Sequence, residues 1–143
     1  MTELRTIGYE GRSLERFLDR LGAASVTLLV DVRELPLSRR RGFSKRGLAS
    51  ALEQAGIGYR HLRALGAPRP LRRAYRDSGD FETFAAAYRA HLAGQWEALA
   101  EVAAEAACGG VALLCFEADA ERCHRSLIAS ALCRDAELRV RHL

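Results

Sequence analysis

Apolar residues recur along the chain in two alternating rhythms. Leu4-Arg5-Thr6-Ile7-Gly8 reads as a short extended segment, and beyond Ser13, whose hydroxyl suits a helix cap, Leu14, Phe17, Leu18 and Leu21 share one helical face up to a stop at Gly22. Ser25-Val26-Thr27-Leu28-Leu29-Val30-Asp31-Val32 is an almost unbroken run rich in β-branched residues, as expected of an inner parallel strand covered on both faces. A second helix starts at Ser44 and carries Leu48, Ala51, Leu52 and Ala55 inward to Gly56, and Ile57 to Leu62 follows as a weaker strand. Pro68 and Pro70 predict an irregular arm. Asp80 then caps a helical tract with Phe81, Phe84, Ala85 and Tyr88 on one face, broken at Gly94 and resumed through Trp96, Leu99, Val102, Ala103 and Ala106. Val111 to Phe116 is the fourth strand, Leu127, Ile128, Ala131 and Leu132 mark the next helical face, and Leu138 to His142 closes as an edge-like strand.

Strand alternating with helix is the pattern of a parallel sheet, because parallel neighbours require a long crossover. The expected fold is therefore α/β: one domain spanning residues 1–143, a three-layer open sheet of about five mostly parallel strands with Rossmann-like winding. Right-handed crossovers and one reversal of direction after the third strand suggest the order 3-2-1-4-5, with a crevice at the carboxyl ends of strands one and four.

Composition narrows the class. With 143 residues, 49% hydrophobic and 28% charged, the chain carries enough apolar material for a core without disulfides or a structural metal. No apolar stretch reaches the roughly 18 residues of a membrane span, and Met1 to Arg5 lacks the layout of a secretory signal, so a cytoplasmic address is expected. Cys108, Cys115, Cys123 and Cys133 are irregularly spaced and read as reduced thiols. The net charge of +4 is modest, but its distribution is uneven. Arg33, Arg39, Arg40, Arg41, Lys45 and Arg46 face only Glu34, and the stretch from Arg60 to Arg76 holds six arginines and no acid. Two basic arms on one half of the sheet would draw in polyanions, with Phe43, Tyr59 and Tyr75 interleaved to stack on bases.

Titratable groups collect just past the strands: Gly8-Tyr9-Glu10-Gly11-Arg12, then Asp31 and Arg33 with the Ser38-Arg39 arm, then Tyr59 and His61, then Cys115, Glu117 and Cys123-His124-Arg125. Thr6-Ile7-Gly8-Tyr9, Asp31-Val32-Arg33-x-x-Pro36-x-Ser38-Arg39, Phe43, Gly56-Ile57-x-Tyr59-x-His61-Leu62, Leu65-Gly66, Cys115-x-Glu117 and Cys123-His124-Arg125, taken in order, resemble the motifs of the prokaryotic domain-of-unknown-function family 488. The resemblance runs from about Leu4 to His142 and implies no particular activity. Tyr9 and Glu10 stand where many relatives look to have His and Ser, and Gly66 is followed by Ala67-Pro68 rather than a second glycine.

Each constellation carries two readings. Cys123 in the first turn of a helix would have its thiol pKa lowered by the free N–H groups, with Arg125 holding an anion; alternatively Cys123 is buried filler and His124 a core histidine bonded to a carbonyl. Cys115 with Arg122 as a phosphatase-type pair is disfavoured, because Glu117, Asp119 and Glu121 stand where phosphate would lie. Cys115, Glu117, Cys123 and His124 have the donor atoms of a zinc site, but side chains of adjacent helical residues diverge by about 100°, which argues against one ion. No metal and no cofactor is therefore expected. Asp31 and Arg33 lie on one side of an extended chain and either pair with each other or serve as ribose ligand or base and as phosphate ligand. Gly8 to Arg12 is not a dinucleotide fingerprint, since the third glycine is missing.

The sequence thus points to a small enzyme acting on a phosphate-bearing substrate, a nucleotide or nucleic acid. Cys123, His124, Glu117 and Asp31 are the candidate chemical groups, and Arg33, Ser38, Arg39, Arg125, Gly8, Tyr59 and His61 the candidate anion or substrate contacts. The rivals are a non-catalytic nucleotide- or nucleic-acid-binding module and a metal-binding protein; no membrane partner is expected.

Overall fold

The computed structural model describes residues 2–135 and 138–143. In chain order it contains β1 (Thr2–Gly8), α1 (Leu14–Ala23), β2 (Leu28–Asp31), α2 (Lys45–Gln54), β3 (Gly58–His61), α3 (Arg69–Ser78), α4 (Phe81–Leu92), α5 (Trp96–Ala107), β4 (Val111–Cys115), α6 (His124–Asp135) and β5 (Leu138–His142), with short 3-10 turns at Arg63–Leu65 and Ala120–Arg122. All paired strands run parallel, in the order β3-β2-β4-β1-β5. The architecture is the expected three-layer, Rossmann-like α/β sheet.

The strand order corrects the 3-2-1-4-5 expectation. β4 pairs with both β2 and β1 and so lies at the centre of the sheet, where all five of its residues are buried. The winding still reverses after β3, so the handedness argument fits both orders and does not choose between them. The crevice moves accordingly: the chain leaves β2 toward β3 and leaves β4 toward β5, so the switch point lies between β2 and β4 rather than between β1 and β4.

Two hydrophobic layers flank the sheet. Phe17, Leu21, Leu48 and Leu52 of α1 and α2 pack with Ile7, Leu29, Ala112 and Leu114, while Phe84, Tyr88, Val102, Ala106 and Ile128 of α4 to α6 pack with Leu4, Val30, Leu113 and Cys115. The two-residue period of a strand therefore places Cys115 with Val111 and Leu113 on the α3–α6 face.

Local details refine the reading. Ser13 caps α1 by accepting from Arg16 N–H at 3.2 Å, and Asp80 caps α4 through Thr83 N–H at 3.2 Å. Gly22 does not end α1; the helix runs to Ala23 and the chain turns at Ser25, in the left-handed region at φ 58°. Ser44 precedes α2 but bonds Ser38, accepting from Ser38 N–H at 3.0 Å. The expected irregular arm is instead helix α3, because Pro70 falls in its first turn, where a missing N–H costs no helical bond.

Candidate functional site

β2 and β4 end side by side, with Asp31 in register with Leu114 and Val32 N–H bonded to the Leu114 carbonyl. Above this junction lies a cavity of about 560 Å³. Its floor is Cys115, Cys123 and His124; Arg33, Glu34, Leu35 and Leu37 line it from the segment after β2, Phe116, Glu117 and Arg122 from the segment after β4, and Arg72, Tyr75 and Arg76 from α3.

The floor is a tight cluster. Cys115 Sγ lies 3.3 Å from Glu117 Oε2 and 3.6 Å from His124 Nδ1, and Cys123 Sγ lies 3.8 Å from the same nitrogen. His124 Nε2 is 2.7 Å from the Val32 carbonyl oxygen, which can only accept. Nε2 therefore carries a proton, and Nδ1 is the ring nitrogen nearer both sulfurs, with Cys115 Sγ beside the ring at 4.0 Å from Nε2. The Tyr88 ring meets the imidazole edge-on at 5.2 Å between centroids, while its hydroxyl donates to the Leu65 carbonyl at 2.6 Å. Cys115, Cys123 and His124 are all buried.

The surroundings of Cys123 oppose the expected thiolate. Burial pushes its thiol pKa well above the ordinary value, and the neighbouring Cys115 adds to the effect. Burial works against a charged His124, yet Cys123, the Val32 carbonyl and Glu117 together hold the imidazole pKa above its usual value. The dipole argument also fails on geometry: Cys123 is extended, at φ −134° and ψ 147°, and α6 begins only at His124.

Asp31 and Arg33 form a separate network. Strand alternation turns Asp31 with Leu29 toward α1 and α2, away from Cys115. Arg33 donates to Asp31 Oδ1 through Nε at 2.8 Å and to Oδ2 through Nη2 at 2.7 Å, and its Nη1 reaches the Phe43 carbonyl at 2.7 Å and the Tyr9 hydroxyl at 3.2 Å. The Tyr59 hydroxyl donates to Asp31 Oδ2 at 2.5 Å. Burial opposes the Arg33 charge, but the bonds to Asp31 hold the guanidinium more firmly protonated than usual; burial and the same carboxylate push the Tyr59 hydroxyl up. Asp31 is fully buried with both oxygens occupied, so the pairing reading describes it and the base reading does not. Arg33 touches the cavity wall with four of its five side-chain N–H donors committed.

The remaining sequence candidates hold backbone. Arg125 is buried and donates to the Glu117 carbonyl at 2.5 Å and the Ala118 carbonyl at 3.4 Å, so it fastens the loop after β4 instead of lining the cavity. A Cβ at Gly8 would overlap the Glu117 carbonyl, which makes this glycine a packing requirement. His61 Nε2 is 2.7 Å from the Arg33 carbonyl, and His61 borders a second hollow with Arg63, Trp96 and Glu101. Ser38 Oγ accepts from Arg40 N–H at 3.0 Å, and Arg39 is exposed; neither lines the cavity. Phe43 is buried, stacked on Tyr9 at 4.6 Å, and Tyr59 is tied to Asp31, so neither offers a stacking face. Tyr9 and Glu10, which depart from the family pattern, also find partners: Tyr9 accepts from Arg33, and Glu10 Oε1 accepts from Ala118 N–H at 3.0 Å.

Of the predicted residues, then, Cys123, His124 and Glu117 come together at one cavity, with Arg33 at its edge. Sequence reasoning counts Arg72 and Arg76 only as part of a basic arm, weighs Arg122 with Cys115 and disfavours it, and gives Cys115 only a secondary place. The spacing of Arg72 and Arg76, four residues apart and hence on one helical face, was the available signal.

Fold and site define a Rossmann-like parallel α/β protein with a thiol–imidazole cluster at the switch point of its sheet. The sequence model of the family described as domain of unknown function DUF488 matches residues 13–132, and the chain belongs to that family. No curated protein and no solved structure matches it. Among the described residues no helix is long and apolar enough to cross a membrane.

Proposed function

We propose that the protein is a small cytoplasmic enzyme acting on a phosphate-bearing substrate, a nucleotide or the end of a nucleic acid, bound in the cavity between β2, β4 and α3. The observation that carries this reading is the placement of three arginines, Arg72, Arg76 and Arg122, around the same cavity whose floor is Cys115, Cys123 and His124. Arg76 and Arg122 are exposed; Arg72 donates to Glu34 at 2.7 Å, and Arg122 lies 3.8 Å from Asp119. The solvated Arg122 pair exchanges readily for a phosphate, to which arginine binds with two parallel hydrogen bonds. The phosphate is held at the rim, which leaves the neighbouring bond over the thiol–imidazole cluster, with Glu117 as the acid–base group beside it. Exposed Leu35, Leu37 and Phe116 supply an apolar lip for the uncharged part of the ligand. Four free thiols suit a reducing compartment.

Calorimetric titration with nucleoside monophosphates and short single-stranded oligonucleotides tests the reading, together with assays for their turnover. The expected result is binding that weakens with salt and by about tenfold or more in Arg76→Ala/Arg122→Ala, the loss of two charge-assisted contacts. Turnover abolished in Glu117→Gln supports the enzyme; binding without any turnover assigns the non-catalytic module instead. If no phosphate-bearing compound binds, or the rim substitutions leave binding unchanged, the reading is wrong.

A further inference from the structure

The geometry points to a metal site at the cavity floor: we infer that Cys115, Cys123 and His124 bind one thiophilic divalent ion of the zinc type, with a fourth position facing the cavity beside Glu117.

The inference starts from distances. A tetrahedral zinc ion bound at about 2.3 Å to sulfur and about 2.0–2.1 Å to nitrogen separates those two ligand atoms by about 3.5–3.6 Å. Nδ1 of His124 stands 3.6 Å from Cys115 Sγ and 3.8 Å from Cys123 Sγ, and the three ligand atoms all lie within 4.8 Å of one another. The objection that neighbouring residues diverge applies to two helical residues. Cys123 is extended and only His124 is helical, so the backbone turns between them and their side chains converge.

The hydrogen bonding carries the argument further. The Cys115 thiol donates to Glu117 Oε2 at 3.3 Å and the Cys123 thiol lies 3.8 Å from Nδ1, so each S–H has an acceptor and both protons have a way out toward the cavity. A single cation bound by the two sulfurs and Nδ1 replaces these contacts and frees Glu117. The Nε2 proton is fixed on the Val32 carbonyl at 2.7 Å, the outer contact that orients a metal-bound histidine and raises its ligand strength. Tyr88 packs against the ring, and Val32 belongs to the surrounding apolar cluster, which keeps the protein side of the site dry. Cys115 and Cys123 would lose their two S–H protons to solvent as the ion enters, leaving two thiolates that balance its charge. Two sulfurs and one imidazole select zinc, cobalt or a similar ion over magnesium, calcium or manganese.

The fourth position opens toward the arginine rim, with Glu117 Oε2 3.3 Å from Cys115 Sγ. Three protein ligands with an open position are the pattern of catalytic rather than structural zinc. The inference goes beyond the anion reading of the cavity and stands without it.

The test is metal analysis of the untagged full-length protein purified without chelator, followed by cobalt substitution and X-ray absorption. About one zinc per chain is expected. The cobalt form should show thiolate-to-metal charge-transfer bands with the intense visible bands of a tetrahedral ion, and the zinc form a first shell with two sulfurs at about 2.3 Å. Cys115→Ser and Cys123→Ser should each weaken the charge-transfer band. The wild-type absorption shell decides the matter if either variant fails to fold. Failure of the unfrozen apo protein to take up zinc or cobalt, a shell of oxygen and nitrogen only, or a charge-transfer band unchanged in Cys115→Ser would overturn the site. A protein that binds nucleotides but no ion sinks this inference alone, whereas a zinc-loaded protein indifferent to every phosphate compound sinks only the anion reading.

Discussion

Asp31 and Arg33 grip each other through two parallel hydrogen bonds of 2.8 and 2.7 Å at the end of the sheet, with both side chains almost entirely out of solvent. Because the pair also anchors Tyr9, Tyr59 and the Phe43 carbonyl, it joins the loops after β1 and β2 to β3. Removing one partner strands the other as a buried charge. Arg33→Met and Asp31→Asn should each cost about 3–5 kcal/mol in denaturant unfolding, and the double variant clearly less than their sum. Strict additivity would show that the two groups are not coupled.

The four thiols differ in access. Cys108 is exposed, Cys133 half-buried, and Cys115 and Cys123 buried. A thiol-specific reagent at neutral pH should modify Cys108 fastest and Cys115 and Cys123 only slowly, with all four reacting quickly once the chain is unfolded. Peptide mapping of the adducts identifies the order. A Cys123 faster than free cysteine would contradict its burial.

Tyr59 and Tyr88 are held neutral, each chiefly by burial, with Asp31 adding to the effect at Tyr59 and the two buried thiols at Tyr88. Their folded pKa values lie above the ordinary value of 10.0, so the folded state prefers the protonated hydroxyls. Their contribution to stability is complete below that pH and is lost as pH rises toward the folded values. Tyrosinate absorbance followed alongside circular dichroism should show these two rings ionising only as the chain unfolds. Smooth ionisation of all tyrosines with the fold intact would refute the assignment.

Gly8 meets the loop after β4 at its carbonyl, where no side chain fits. Gly8→Ala should destabilise the protein by roughly 1–3 kcal/mol, as overpacking does, and loosen Glu117 over the cavity. Urea unfolding measures the first effect; an unchanged midpoint would mean the loop yields freely.

Much of the fold was legible because each element carries its own signal. The run before Asp31, the cap at Ser13 and the unbroken apolar stretch from Val111 to Phe116 needed no partner to be read. Strand order was not, since chirality rules accept β4 either beside or between the earlier strands, and its burial fits an inner strand in both; only its pairing with β1 and β2 settles where it sits. The cluster of Cys115, Glu117, Cys123 and His124 could be found from spacing at a strand-to-helix corner. Whether its side chains converge depended on one residue's backbone, the extended Cys123, which spacing does not encode. Asp31 was misjudged although its parity was readable: it alternates with Val30 and Val32, so it had to leave the face on which they pack with Cys115. The arginines of α3 were hidden by Pro68 and Pro70, because a proline that begins a helix looks like one that prevents it.

Helix α3 differs from its neighbours in having no fully buried residue; Leu71 and Tyr75 only lean on the core, and Arg72 ties it to Glu34 and the Ala67 carbonyl. Its undocking therefore exposes little apolar surface and leaves the sheet whole. Amide exchange in α3 should outpace that in α4. Substitutions in α3 reshape one wall of the hollow while the scaffold beneath keeps its fold.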